Sequence, residues 1–264
     1  MRTLQTYKNF SSLDGDTVGF DSSAGSLLTY EDFAFALESA VWKRSDAWKA
    51  NDPGPWKLLV GLFDAEKDLR NEIMTEARKW TGPNGANLEF VETEDVASAH
   101  IRIRVETDFN DSALGRQARH RKFSGTHTMR LGYLSNSRTN RRQRKRIIQH
   151  EFGHVLGLRH EHQHPDSGLT WRTNEIVADH LGKNWGKCNT KDVTPAQLEK
   201  LCEESVRSFY LSHSISGHKL AEYDPDSVML YTFPASFNDE GVEVSRLNLI
   251  SPKDLDFAKR LYPA

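Results

Sequence analysis

His150-Glu151-Phe152-Gly153-His154-Val155-Leu156-Gly157-Leu158-Arg159-His160 decides how this chain is read, because one short stretch supplies three imidazoles, a carboxylate and a turn. On a helix, His150 and His154 stand four apart, so both rings leave one face about one turn apart and can share an ion. Glu151 stands beside them, within reach of a water on that ion. Gly157 adopts a positive φ without a Cβ penalty, which lets the chain leave the helix sharply and bring His160 back as a third ligand. Three protein ligands leave a fourth position open, the mark of a catalytic rather than a structural zinc. A pattern with five fixed positions arises by chance on the order of once in a million starts. The alternative is an amphipathic core helix with incidental histidines. It fits Phe152, Val155, Leu156 and Leu158, but leaves a carboxylate buried between two imidazoles with no ion to answer it. The stretch predicts a zinc-dependent peptidase.

The chemistry follows from the ligand set. Zinc on His150, His154 and His160 lowers the pKa of its water toward neutrality and polarises the scissile carbonyl. Glu151 then takes the proton and passes it to the leaving amine. Loss of Glu151 is expected to spare metal binding and abolish cleavage.

The same residues resemble the active-site motif of the metzincin metallopeptidases and, within them, the astacin-like branch of bacterial and fungal type. Glu161, directly after the third histidine, extends the match, and Ser227-Val228-Met229-Leu230-Tyr231 is similar to the astacin Met-turn, S-x-M-x-Y. The resemblance covers residues 56 to 263 and includes the closing stretch from Leu249-Ile250-Ser251-Pro252-Lys253-Asp254 to Tyr262-Pro263. It departs at His162-Gln163-His164-Pro165-Asp166, which puts the shape of the substrate cleft in question, and at Leu230, where histidine is frequent.

The resemblance implies an α+β fold: a twisted mixed five-stranded sheet with a backing helix and an active-site helix, then a loop-rich C-terminal half ending in a helix. It implies one catalytic Zn2+, hydrolysis of internal bonds in extended peptide or protein substrates, and secretion. Tyr231 is implied to ligate zinc in the free enzyme and to swing away to stabilise the oxyanion, the alternative being a core tyrosine whose hydroxyl is satisfied elsewhere. Met229 is implied as an apolar floor under the ligands, with Glu161 and Gly157 supporting them. Ser112-Ala113-Leu114-Gly115 resembles the edge strand that aligns substrate by β-augmentation, although Ser and Gly also make ordinary loops. Leu13-Asp14-Gly15-Asp16 resembles the inhibitory F-x-G-D motif of astacin propeptides with Leu for Phe, and Asp-Gly is also a common turn.

A chain of 264 residues holds one sizeable core, or a catalytic domain with a modest extension. A net charge of -2 gives no reason to expect nucleic-acid or membrane partners, and a monomer is expected. Apolar residues make up 37% of the chain, and no run reaches the length that spans a bilayer. Met1 to Asn9 lacks the apolar core of a secretory signal, so either the signal has been removed or export does not use that route, and a cytoplasmic protein stays open. Cys188 and Cys202 can bridge in an oxidising compartment. A rival reading is a silent or latent zinc-containing protein that captures peptides. Glu151 argues against it, because a binder gains nothing from a base beside the metal.

Along the chain, residues 1 to 50 read as an N-terminal extension and 51 to 264 as the catalytic domain. Within the extension, Phe33, Ala34, Leu37, Val41, Trp42 and Trp48 predict an amphipathic helix over 30 to 49, broken by Asp52-Pro53-Gly54-Pro55. Strands are predicted at Lys57 to Phe63, Leu88 to Val91, His100 to Val105 and Thr128 to Leu134, with a helix from Asp64 to Trp80. Few periodic elements are expected between Gly157 and Ser251, where Ser251, Pro252 and Asp254 open a closing helix. The basic run Arg138 to Arg146 reads as the solvated first turns of the active-site helix, capped by Thr139 or Asn140. Contact with an acidic partner or with nucleic acid are its alternatives. His162 and His164 read as surface residues or neighbours of the site rather than as ligands.

Overall fold

Leu58, Val60 and Leu62 sit two apart on strand β1 (Trp56–Phe63), and that period places all three on one face, each at most 1% exposed. The opposite face is closed at Gly61, where a Cβ would stand 2.8 Å from the Val96 backbone. The computed structural model describes residues 10–11, 17–18, 36–51, 53–105, 110–132, 134, 139–184, 195–210, 218–219, 221–244 and 248–264. Strands β2 (Leu88–Glu92) and β3 (Ile101–Val105) flank β1 in parallel. Next to β3 lies β5 (Met129–Leu131), also parallel, and β4 (Asn110–Ser112) runs antiparallel at the edge. The order is β2-β1-β3-β5-β4, the mixed five-stranded sheet expected from the resemblance.

Helix α1 (Lys67–Ala77) and the turn to Trp80 bury Ile73, Ala77 and Trp80 in the core under the sheet. Helix α2 (Arg141–Val155) shares that core, with Phe152 edge-on to Phe90 of β2 at 5.1 Å between ring centroids. The Trp80 indole N–H donates to the Gln149 carbonyl at 2.8 Å, so α1 and α2 are fastened where the two helices meet. Helix α5 (Pro252–Leu261) closes the core with Phe257, Ala258 and Leu261. Its start has the expected form: Ser251 Oγ accepts from the Asp254 N–H at 2.9 Å and Asp254 Oδ2 accepts from the Ser251 N–H at 3.0 Å.

Two expectations are corrected. Residues 36–50 contain no α-helix: Ala36–Leu37 pair antiparallel with His218–Lys219, and Glu38–Ala40 and Arg44–Asp46 are 3-10 turns. The apolar spacing there reflects tertiary contacts rather than a helical face. Trp42 is 1% exposed because its indole N–H donates to the Val155 carbonyl (2.7 Å) and its backbone N–H to the Tyr262 hydroxyl (3.2 Å). Residues 30 to 35 of that expected helix lie outside the described ones. The second concerns the span between Gly157 and Ser251, which holds more periodic structure than expected. Helices α3 (Thr173–Asn184) and α4 (Pro195–Tyr210) build a second apolar cluster from Ile176, Val206, Tyr210, Leu230, Phe233 and Phe237. Leu198, Leu201, Cys202, Val206, Phe209 and Tyr210 recur three and four apart, so the signal for α4 was present in the sequence. Among the described residues no helix is long and apolar enough to cross a membrane.

Candidate metal centre

Helix α2 begins with a reciprocal cap, Asn140 Oδ1 accepting from the Gln143 N–H at 3.0 Å and Gln143 Oε1 accepting from the Asn140 N–H at 2.9 Å. Arg141 and Arg142 lie on the solvated face expected of the basic run, and the residues after them depart from it. Arg144 pairs with Glu72 of α1 (Nε to Oε1 3.0 Å), Lys145 approaches Glu76 at 3.6 Å, and Arg146 is 5% exposed. Arg138 lies outside the described residues. These pairings offset the cost of positive charge at the positive end of the helix dipole.

The helix ends where the glycine stands. Gly157 has φ +87, its N–H donates to the His154 carbonyl at 2.8 Å, and the Leu158 N–H reaches back to Gly153 at 3.1 Å. This turn returns His160 to the two helical histidines, and one nitrogen from each of the three rings lies within 4.8 Å of the others. His150 Nδ1 bonds to the Val228 carbonyl (2.9 Å) and His154 Nδ1 to the Leu158 carbonyl (2.8 Å). Those bonds fix the tautomers and turn both Nε2 atoms inward, the support usual around ligating histidines. His150 Nε2 is buried without a hydrogen-bond partner, and His154 Nε2 faces His160 Nε2 at 3.1 Å. Two nitrogens on one tetrahedral zinc stand about 3.3 Å apart, so the donor set fits that ion. Burial, reinforced by His154, holds His150 and His160 well below the ordinary imidazole range, which keeps both lone pairs available. Glu151, one residue along the helix from His150, is 3% exposed.

Residues 227 to 231 pass directly beneath α2. A Cβ on Gly153 would stand 2.3 Å from Met229 Sδ, so Met229 occupies the space that the glycine leaves open. Tyr231 lies edge-on to His160 (4.5 Å) and to His150 (5.2 Å). Glu161 does not face the metal position. Its carboxylate accepts from the Asp224 N–H at 2.6 Å, and burial, with Asp254 and Asp224 nearby, pushes it well above the usual carboxylate range. His162 and His164 are each 1% exposed, so neither is a surface residue. The His162 ring stacks on His160 at 5.5 Å, and His164 bonds through Nε2 to the Ala221 carbonyl at 2.9 Å.

Ser112 ends the edge strand β4, and the Ala113 N–H continues the ladder to the Thr128 carbonyl at 2.8 Å. Leu114 is 4% exposed, and Gly115 opens a 3-10 turn at φ +48. The strand pair Phe10–Ser11 and Thr17–Val18 brings Thr17–Val18 beside β4. Leu13 to Asp16, Cys188 and the Cys202 side chain lie outside the described residues. Sequence reasoning missed Asp254 and Arg146. Asp254 accepts from the Ser227 hydroxyl (2.6 Å) and the Val228 N–H (2.9 Å), and Arg146 Nη2 donates to the Leu230 carbonyl (2.9 Å). Arg146 lies within a run singled out for its charge, but nothing local in the sequence pointed to the Leu230 carbonyl.

No family model and no curated protein matches the sequence. Among solved structures, one of myroilysin is 25% identical, with a TM-score of 0.67 over 87% of this chain and 98% of that one. A second, a crystal structure of myroilysin, is 23% identical with a TM-score of 0.55 over 89% and 99%, a likeness of fold alone. High choriolytic enzyme 1, a hatching enzyme zinc-protease from the medaka fish Oryzias latipes, is 20% identical over 84% and 96%. Its TM-score is 0.48.

Proposed function

We propose, from the premise that this chain is an astacin-like metzincin, that it is a zinc-dependent endopeptidase acting on internal bonds of extended peptides or proteins. The observation that carries the reading is the convergence of His150, His154 and His160, with Glu151 on the same helical turn. Zinc held by these three histidines supplies Lewis acidity to the scissile carbonyl and makes water acidic near neutral pH. Glu151 accepts the proton from the attacking water and returns it to the leaving amine. Tyr231 donates its O–H to the carbonyl oxygen as charge gathers there. The outer edge of β4, with Ser112 and Ala113 at its end and Leu114 and Gly115 turning inward after it, offers backbone donors and acceptors to an extended substrate, which supplies affinity without demanding a particular sequence. The premise also favours a secreted protein. The packing of Trp42 against α2 supports drawing the catalytic unit from Ala36 rather than from residue 51.

The test is casein hydrolysis by wild type and Glu151→Gln, with zinc measured in both. Wild type is expected to cleave, and the variant to retain about one zinc and lose activity by a factor of roughly 100 or more. Bound zinc with no cleavage by wild type would overturn the reading in favour of a silent peptide binder.

A further inference from the structure

Three consecutive carbonyls beneath the metal position accept hydrogen bonds from the segment that carries the ligands. Val228 O is held by His150 Nδ1 (2.9 Å), Met229 O by the Glu161 N–H (3.1 Å) and Leu230 O by Arg146 Nη2 (2.9 Å). The first two donors belong to a ligand and to the residue after one. The third is a side chain of a different kind, a guanidinium 5% exposed, one helical turn before His150. Arg144 and Lys145, its neighbours in the basic run, face carboxylates of α1, whereas Arg146 reaches a neutral carbonyl on the other side of α2. Taking a guanidinium out of water is costly, and the Leu230 carbonyl is one of the groups that answer it here.

What the contact does fix is a direction. The Leu230 carbonyl belongs to the peptide bond that leads into Tyr231. Pinning that peptide sets how Tyr231 leaves the turn, and therefore its edge-on contacts with His160 and His150. We propose that Arg146 is the positioning residue for Tyr231: its hydrogen bond to Leu230 O aims the phenol at the metal position. The basic run is then internal scaffolding over at least Arg144 to Arg146, not a docking face. The proposal rests on the peptidase reading, because it assigns Arg146 its effect through a side chain that acts in that reaction.

The test compares wild type, Arg146→Met, Arg146→Lys, Tyr231→Phe and the Arg146→Met/Tyr231→Phe double variant for kcat and KM. The Arg146 variants are also examined in metal-free protein by 19F NMR of 3-fluorotyrosine placed at position 231. Arg146→Met is expected to keep KM within about twofold and lose about tenfold or more in kcat, with Arg146→Lys recovering most of the loss. On a Tyr231→Phe background the Arg146→Met loss should shrink to under about twofold. The fluorine resonance should shift or broaden in Arg146→Met and return toward wild type in Arg146→Lys. Equal kcat losses on both backgrounds, or an unchanged resonance in Arg146→Met, would overturn the proposal while leaving the peptidase reading standing. Absence of cleavage by wild type removes the peptidase reading, and this one with it. If Arg146→Met does not fold, Arg146→Lys decides: its kcat change must vanish on the Tyr231→Phe background, and a change of the same size there refutes the proposal.

Discussion

Gly153 sits between the two helical ligands, and its missing side chain is what lets Met229 approach α2. The Trp80 ring also stands 3.1 Å from where a Cβ would be, so a methyl group meets two large buried chains at once. Gly153→Ala is expected to destabilise the protein by about 1–3 kcal/mol through overpacking, even though alanine favours helix. Urea unfolding of the metal-free protein checks this, and a stability equal to or above that of wild type would show that Met229 moves aside freely. At this scale the convergence of His150, His154 and His160 was legible because spacing within a single helix and its exit carries all the information. Met229 and Tyr231 were reached only through resemblance, since nothing local says that residue 229 lies under residue 153. Arg146 and Asp254 escaped because their meaning lies in contacts with backbone 84 and 26 positions away.

The turn over residues 227 to 231 rests on the start of α5. Asp254 takes the Ser251 N–H as part of the helix cap and the Val228 N–H as part of the turn, so one carboxylate serves two elements. Burial raises its pKa from 3.8 to about 6 against these hydrogen bonds. The folded state therefore binds this proton more tightly than the unfolded chain, and stability must fall as pH rises from 4 to 6 and then level off. The size of the effect is on the order of 3 kcal/mol. Urea midpoints of metal-free wild type and Asp254→Asn between pH 4 and 7 test this: the difference between the two should change over that window, and parallel curves would rule it out. The elements themselves were legible where a local pattern coincides with the tertiary arrangement, as in β1, α1 and the capped start of α5. The pattern misled at 36 to 50, where Trp42 is held by the end of α2 and by Tyr262 rather than by a helix of its own. It was overlooked in α4, whose apolar spacing is regular but lies far from the recognised motifs.

Across the whole molecule, the exit from α2 is held from two distant places. The Trp42 indole takes the Val155 carbonyl, and the Tyr262 hydroxyl takes the Leu156 carbonyl at 2.8 Å while accepting from the Trp42 backbone. The backbone beyond is equally close, since a Cβ on Gly115 would stand 1.9 Å from the Ala40 carbonyl and 3.4 Å from Gly157. Tyr262→Phe should cost about 1–3 kcal/mol by leaving the Leu156 carbonyl and the Trp42 N–H unmatched. A chain starting at residue 51, which loses Trp42 altogether, should lack the near-ultraviolet dichroism of the intact protein; a native spectrum from that truncation would refute the integral role given to residues 36 to 50. The two clamps also have an order in time. Tyr262 follows His160 by 102 positions, a delay of roughly 5–20 s at about 5–20 residues per second. Through that interval the ribosome holds a chain whose histidine cluster has one clamp at its exit and lacks the other. The turn that returns His160 therefore stays half-secured for as long as Tyr262 is missing, and the geometry of the cluster is set only when that second clamp closes.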